Sequence, residues 1–380
     1  MRRGEPRTVA ARPGARHRLL AAGVAGTARR TAGDGGGGPV REGTGLALYD
    51  VTVRHHGPSG PVTAVDGVSL EVPRGTTVGL VGESGSGKST LARAVVGLDN
   101  PCAGRITVGG LEYRGRRAAD RRRLGRQVQL VFQDPDTALD PRMTVRQSLA
   151  EAAGAFVRLD RPGRERRVGE LLALVGLDAG CADRVPRQLS GGQRQRVAVA
   201  RALAVDPAVL IADEITSALD VSVRAALLTM LRDLQRRLGF AMLFISHDLA
   251  AVRHVSDAVA VMYLGRIVEN APTESLLRGP RHPYTRTLLS AVPSLRAGRR
   301  AAELPLLIGE VPDPVSPPAG CRFHPRCPEG PDRLPGRDVC AVRDPRPEAS
   351  WQPDGVAAAG QPYGVACHFP WGPVRPAPAP

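Results

Sequence analysis

Two kinds of hydrophobic spacing divide this chain. Between residues 46 and 81, apolar positions fall at Leu46, Leu48, Val51 and Val53, then across 62–72, then in an unbroken run over 77–81. Strand side chains alternate faces, so this spacing predicts a strand, a further strand pair and a short buried strand. A helical run begins at Leu91, and short apolar runs at 105–108 and 128–132, bounded by Gly and charge, predict two more strands. Over 145–204 the period becomes helical. Leu171, Leu172, Leu174, Val175 and Leu177 crowd one side, and Pro186 interrupts the run. Strand-like runs return at 208–212 and 241–245 around a helix near 221–238, and 258–263 with 266–269 predict a closing hairpin about Gly265. Continuous apolar strands alternating with helices predict an α/β fold whose parallel sheet is covered on both faces.

Composition changes this picture little, with one exception. The chain has 380 residues, a formal charge of +15 and 52 Lys plus Arg, yet only Lys88 is lysine. The Arg residues are scattered and lack interleaved aromatics, so the charge reads as a chain-wide compositional bias on a solvated surface, and no nucleic-acid partner is expected. No stretch reaches the roughly 18 to 20 uncharged apolar residues needed to cross a bilayer, which leaves a peripheral membrane role at most. Residues 1–45 open on Arg2-Arg3 and contain Gly35-Gly36-Gly37-Gly38-Pro39. Their short apolar stretch at 19–25 is too weak for an export signal, so they are expected to form a disordered arm.

Lys88 sits in Gly82-Glu83-Ser84-Gly85-Ser86-Gly87-Lys88-Ser89-Thr90, between a predicted strand and a predicted helix. That is the context of a phosphate-binding loop: glycines let backbone N–H groups wrap an anion, and a compact ammonium reaches phosphates where a planar guanidinium is too wide. Further on, an apolar strand ends in Asp213-Glu214. Two carboxylates at a strand end can serve Mg²⁺ and an attacking water, as phosphoryl transfer demands.

Leu189-Ser190-Gly191-Gly192-Gln193, opening a helix just upstream of that strand, resembles the signature sequence of the ABC ATPase family. The resemblance implies a P-loop NTPase core over residues 46–270, with an N-terminal β-subdomain and a helical subdomain inserted at about 140–200. It implies ATP and Mg²⁺ as cofactors, held by Gly82, Ser84, Gly85, Ser86, Gly87, Lys88, Ser89 and Thr90. Asp213 then corresponds to the Walker B acid, Glu214 to the general base, Gln133 to the flexible Mg²⁺- or water-binding glutamine, and His247 to the switch histidine on the γ-phosphate. Ser89, Gln133 and Asp213 would be the Mg²⁺ set. Ser217-Ala218-Leu219-Asp220 matches the loop that meets a second ATPase, whose phosphate site Ser190, Gly191, Gly192 and Gln193 would close. The adenine-stacking aromatic of the family is missing; His55 or His56 stands in its place, His55 being the expected contact. Ile215 also departs from the family's usual Pro, with little effect expected on the carboxylates.

The last hundred residues narrow the resemblance. Arg281-His282-Pro283-Tyr284-Thr285-Arg286 and Gly320-Cys321-Arg322-Phe323-His324-Pro325-Arg326-Cys327-Pro328 resemble segments of oligopeptide and dipeptide importer ATPases, leaning toward the second ATPase subunit of such importers. The family resemblance implies a C-terminal extension over 271–380, a partner ATPase subunit, two permease subunits, an extracytoplasmic solute-binding protein, and a place on the cytoplasmic face of the membrane. Relatives with the same tail serve nickel, glutathione or opines, and a soluble ATPase acting on ribosomes or DNA is the rival of another class. Cys321, Cys327, Cys340 and Cys367 are separated by five, twelve and twenty-six residues, which is no zinc-finger spacing. A four-iron four-sulfur cluster, zinc and reduced thiols all remain open for them. Distance in sequence from every phosphate motif suggests that a cluster in this tail is structural, bracing the extension against the dimer or the permease, and not redox-catalytic, while Cys102 and Cys181 are expected only to pack.

Overall fold

The computed structural model describes residues 43–57, 60–113, 118–156, 159–217, 219–290, 309–345 and 364–372. The expected arm lies outside these residues up to position 42, as do Ala218 and much of the proline-rich tail.

The N-terminal strands are β1 (Thr44–Gly57) and β2 (Gly60–Pro73), paired antiparallel, with β4 (Ala103–Val108) and β5 (Leu111–Tyr113) completing a sheet in the order β2-β1-β4-β5. Residues 62–72 therefore form part of one long strand and not the expected pair, because Leu46↔Val72 and His55↔Val62 keep β1 and β2 in register along their whole length. Between these strands come β3 (Thr77–Val81) and α1 (Lys88–Val95).

The central sheet adds β6 (Val128–Val131), which follows α2 (Ala118–Gln127). The inserted helices α3 (Val145–Gly154), α4 (Arg161–Leu174) and α5 (Gly191–Leu203) come next, before β7 (Val209–Asp213) returns the chain to the sheet. It continues through α6 (Val221–Leu238), β8 (Ala241–Ile245), α7 (Leu249–Val255), β9 (Ala258–Tyr263) and β10 (Arg266–Pro272). β6, β7, β8, β3 and β9 are parallel, and β10 turns back antiparallel on β9 about Gly265, as expected. Each strand divides its residues between two cores. On β8, Met242 and Phe244 join the helical cluster of α3 to α7, whereas Leu243 and Ile245 join the cluster of α1 and the N-terminal sheet. Five-residue strands buried on both faces need no polar alternation, which is why they read as unbroken apolar runs.

The extension continues as α8 (Thr273–Arg278), α9 (Pro283–Ser290), α10 (Val339–Val342) and β11 (Gly364–Val365). β11 adds itself to the sheet edge, with Glu269↔Val365 and Asn270↔Gly364 in antiparallel register. The tail is thus fastened to the central sheet by main-chain pairing. Among the described residues no helix is long and apolar enough to cross a membrane.

Candidate nucleotide site and its C-terminal buttress

The strand β3 ends at Val81 and the chain turns immediately into a loop that only glycine can build at two points. A Cβ on Gly82 would lie 2.2 Å from the Met262 carbonyl oxygen, and one on Gly87, whose φ is 104°, would lie 2.2 Å from that of Ala64. Neither backbone oxygen can move aside cheaply. Gly87 is also the N-cap of α1 and offers no side-chain acceptor, so the first-turn N–H groups of the helix remain for an anion.

Lys88 is 5 % exposed. Its Nζ donates to the carbonyls of Gly82 (2.9 Å) and Glu83 (2.8 Å) and to Ser86 Oγ (3.3 Å). Burial lowers its pKa below the usual lysine value, and the charges of Glu214, Asp213 and Glu83 oppose that shift. Ser89 and Thr90 follow in the first turn, and Ser89 Oγ donates to Asp213 Oδ1 at 3.3 Å. Burial pushes the Asp213 carboxyl above the ordinary carboxylate range, the Ser89 hydrogen bond working against it. Ser84 and Gly85 lie exposed at the tip of the loop.

The β7 end supplies the other half. Glu214 adopts φ 47°, a left-handed conformation that side chains avoid, and its N–H is held by the Ile245 carbonyl at 3.0 Å. Its carboxylate stands 3.5 Å from His247 Nδ1. Ser217 Oγ donates to the Glu214 carbonyl (3.0 Å) and accepts from Gln133 Nε2 (3.3 Å). Gln133, Glu214, Ser217 and His247, spread over more than a hundred residues, thus form one chain of contacts. Ile215 is 1 % exposed and enters the helical core without disturbing the carboxylates.

Ser190 caps α5 reciprocally with Gln193: Gln193 N–H donates to Ser190 Oγ (3.2 Å) and Ser190 N–H to Gln193 Oε1 (3.0 Å). A Cβ on Gly192 would meet Val223 Cγ1 at 2.5 Å, and one on Gly191 would meet Leu219 at 3.8 Å, so this segment packs against the start of α6. Among the described residues no hydrogen bond or ion pair joins it to residues 82–90. Asp220 caps α6, accepting from Val223 N–H (2.9 Å) and Ser222 Oγ (2.7 Å), with its pKa lowered mainly by the Val223 bond. His55 is half exposed on β1, and its Nε2 lies 3.9 Å from Asp99, beyond the C-terminal end of α1 and away from the end that carries Lys88.

Sequence reasoning missed the buttress. Glu83 donates its N–H to Tyr284 Oη (3.0 Å), and its carboxylate takes two N–H groups of Arg326, at 3.0 and 3.3 Å. The tail therefore contacts the phosphate loop directly, although the two lie far apart in sequence. A neighbouring cluster ties the same segment to the closing hairpin: Arg322 donates to the Leu264 carbonyl and pairs with Asp66, which Arg266 also holds at 2.8 Å. Tail segments around 282–286 and 320–328 stood out in the sequence, but nothing in them pointed at Glu83.

Cys321, Cys327, Cys340 and Cys367 line one cavity, together with His282 and Phe323. All four thiols are free, and burial raises their pKa values, to about 11 for Cys321 and about 12 for Cys327 and Cys367. Among the described residues no group of three or more His, Cys, Asp and Glu side chains is arranged to hold a metal ion. Cys181 is buried as expected, whereas Cys102 is exposed, its Sγ 3.4 Å from the Thr52 carbonyl.

Comparison with known proteins gives two family matches, one to the ABC transporter family over residues 65–217 and one to the oligopeptide/dipeptide transporter C-terminal region over 268–333. The "probable peptide ABC transporter ATP-binding protein" y4tS of Sinorhizobium fredii is 48% identical over 316 residues, covering 80% of this chain and 89% of that protein. The di/tripeptide transport ATP-binding protein DppF of Pseudomonas aeruginosa is 47% identical over 272 residues, covering 72% of this chain and 84% of its own. Among solved structures, the dimeric post-hydrolysis ATP-binding cassette MJ0796 bound to ADP and phosphate superposes with a TM-score of 0.56 at 27% identity, over 60% of this chain and 98% of the cassette.

Proposed function

This chain belongs to the ABC transporter family of ATP-binding proteins, and on that premise we propose that it binds and hydrolyses ATP to energise peptide import through a membrane permease. One observation carries the catalytic reading. The ends of β3, β7 and β8 bring Lys88, Ser89, Asp213, Glu214 and His247 to one edge of the parallel sheet, where ligands of such folds bind.

In this reading the loop N–H groups and Lys88 grip the β- and γ-phosphates, and the uncapped start of α1 adds its dipole. Ser89, Asp213 and Gln133 would hold Mg²⁺, which supplies charge neutralisation on the phosphates when bound. Their donor set fits: a hydroxyl, an amide and a carboxylate are hard oxygen ligands, and the buried Asp213 is a group whose charge a cation would favour. Glu214 orients water and accepts its proton, with His247 beside it on the γ-phosphate side. His55 holds the adenine-stacking place only by its position in the order of motifs; its neighbour Asp99 lies beyond the C-terminal end of α1 and gives that role no support. Ser190, Gly191, Gly192 and Gln193 would close the site of a second ATPase, with Asp220 near that junction, so that ATP joins two ATPases and hydrolysis releases them.

Finer readings follow the family. The partner is a different ATPase subunit, two permeases span the membrane, and an extracytoplasmic protein delivers the solute, which places this chain peripherally on the cytoplasmic membrane face. Residues 46–270 form the ATPase domain and 271–380 the importer-type extension. The match of that extension to an oligopeptide/dipeptide region favours peptide over other solutes and over a soluble ribosome- or nucleic-acid-directed ATPase. Cys321, Cys327, Cys340 and Cys367 would hold a four-iron four-sulfur cluster, with zinc as the alternative. Four soft ligands on one cavity support this reading; reduced thiols are the remaining alternative, favoured by burial and by the absence among the described residues of a side-chain group arranged to hold a metal.

Two measurements test these readings. The chain mixed with its partner ATPase and magnesium should release phosphate from ATP, and failure to retain or cleave ATP would refute the assignment. Anaerobically purified protein should be brown with about four iron and four sulfide per chain, whereas colourless zinc-loaded protein would reject the cluster.

A further inference from the structure

The Gly82–Glu83 peptide is fixed from three directions. Lys88 Nζ donates to both carbonyls, at 2.9 and 2.8 Å. On the opposite side, Tyr284 Oη takes the Glu83 N–H at 3.0 Å, and Arg326 clamps the Glu83 carboxylate with two bonds. Both outer partners come from the C-terminal extension and neither is a surface group: Tyr284 is 0 % and Arg326 6 % exposed. A buried guanidinium is strongly unfavourable without its carboxylate, so Arg326 and Glu83 hold each other in place.

Nor can Tyr284 and Arg326 drift. Tyr284 packs on Tyr263 (ring centroids 4.6 Å apart) and on Phe323 (5.4 Å), while Arg326 also donates to Tyr263 Oη at 3.3 Å. Phe323 lies between Cys321 and Cys327 in sequence and lines the thiol cavity. The loop thus rests on an aromatic block continuous with that cavity. Orientation of the Gly82–Glu83 peptide decides where the Lys88 ammonium can sit, and a phosphate site gains affinity when its donors are set before the ligand arrives.

We propose that Tyr284 and Arg326 are positioning residues for the phosphate loop: by holding Glu83 they preorganise Lys88 and the loop amides, so that nucleotide affinity depends on the C-terminal extension of the same chain. This rests on reading residues 82–90 as the ATP site. Arg326 suits the task because its planar fork matches a carboxylate with two parallel bonds, which lysine cannot do.

The test is titration of the full-length protein with MgADP and MgATP, alongside its thermal midpoint without nucleotide. Tyr284→Phe keeps the ring packing and removes only the hydroxyl; it should weaken binding about fivefold. Arg326→Met and Glu83→Gln should each weaken it about tenfold or more. The double variant Glu83→Gln with Arg326→Met should bind no worse than the poorer single variant, because both partners serve one contact. In steady-state turnover, KM for ATP should rise more than kcat falls. Wild-type affinity in folded Tyr284→Phe and Glu83→Gln proteins, or losses that multiply in the double variant, would overturn the proposal. Should Arg326→Met fail to fold, Tyr284→Phe and Glu83→Gln still decide it. Absence of binding by the wild-type chain would instead strike the ATP reading itself, so the two failures are distinguishable.

Discussion

Glu214 is strained and is also the residue proposed as the general base, and the two can be separated by mutation. Its φ of 47° places an ordinary side chain in the left-handed region, at roughly 1–2 kcal/mol above the usual conformations. Glycine pays no such penalty. The Glu214 side chain is 21% exposed and its contact with His247 is 3.5 Å long with a largely exposed partner, worth a few tenths of a kcal/mol after screening; its charge also favours the buried Lys88 ammonium and disfavours the Asp213 carboxylate, two effects of opposite sign. Glycine also gives the unfolded chain more backbone freedom, about 0.5–1 kcal/mol, so Glu214→Gly should leave the folded chain between unchanged and about 1 kcal/mol more stable, a rise in melting midpoint of at most roughly 2 to 4 °C. Glu214→Gln keeps Cβ and hence the strain, so its midpoint should stay where it is. Both variants lose the carboxylate, and turnover in both should fall by roughly 10² to 10⁴, the range of general acid–base catalysis. Removing a negative charge beside the phosphate site should leave ATP binding intact or tighter, so Glu214→Gln protein should accumulate with ATP uncleaved. The assays are phosphate release, nucleotide retention on a desalting column and differential scanning calorimetry on the same preparations. A Glu214→Gly protein destabilised by about 1 kcal/mol or more would refute the strain, and undiminished turnover in Glu214→Gln would refute the base.

Other expectations follow from the same geometry. Gly192→Ala puts a methyl 2.5 Å from Val223 Cγ1 and should destabilise by about 1–3 kcal/mol, with Val223→Ala in the same chain restoring most of the loss in a denaturant melt. Gly87→Ala meets a backbone oxygen at 2.2 Å with φ at 104°, so no neighbouring side-chain truncation should rescue its folding or nucleotide binding. Ser190→Ala removes the α5 cap and should cost about 1 kcal/mol by the same melt. Lys88, whose folded pKa lies below the ordinary 10.5, is protonated more readily in the unfolded chain; its contribution to stability therefore grows as pH rises between the folded value and 10.5. The nucleotide-free protein should accordingly gain stability with alkaline pH more steeply than Lys88→Met, as chemical denaturation across that range would register.

Local chemistry makes much of this protein legible in its sequence. The β3 and β7 runs, the glycines beside Lys88 and the Asp213-Glu214 pair are short segments whose spacing already carries their conformation, and the structure keeps them where the pattern put them. The N-terminal region was misjudged in one respect: residues 62–72 look like two strands because Asp66 and Gly67 interrupt the apolar run, yet β1 holds β2 together across that interruption. His55 is a harder case. Its position in the order of motifs suggested an adenine contact, but side-chain direction on a twisted strand depends on neighbours, and its nearest charged partner is Asp99.

Sequence by itself determined the parallel α/β core, the phosphate loop and the carboxylate-ended strand, since each is written in residues adjacent along the chain. Only the tertiary structure decided which distant groups meet: that His247 faces Glu214, that four cysteines share a cavity, and that Arg326 closes on Glu83 across 243 positions. A hydrogen bond depends on positions in space to within a few tenths of an ångström, and between segments so far apart those positions are fixed by how the sheet, hairpin and extension pack, which no local pattern encodes.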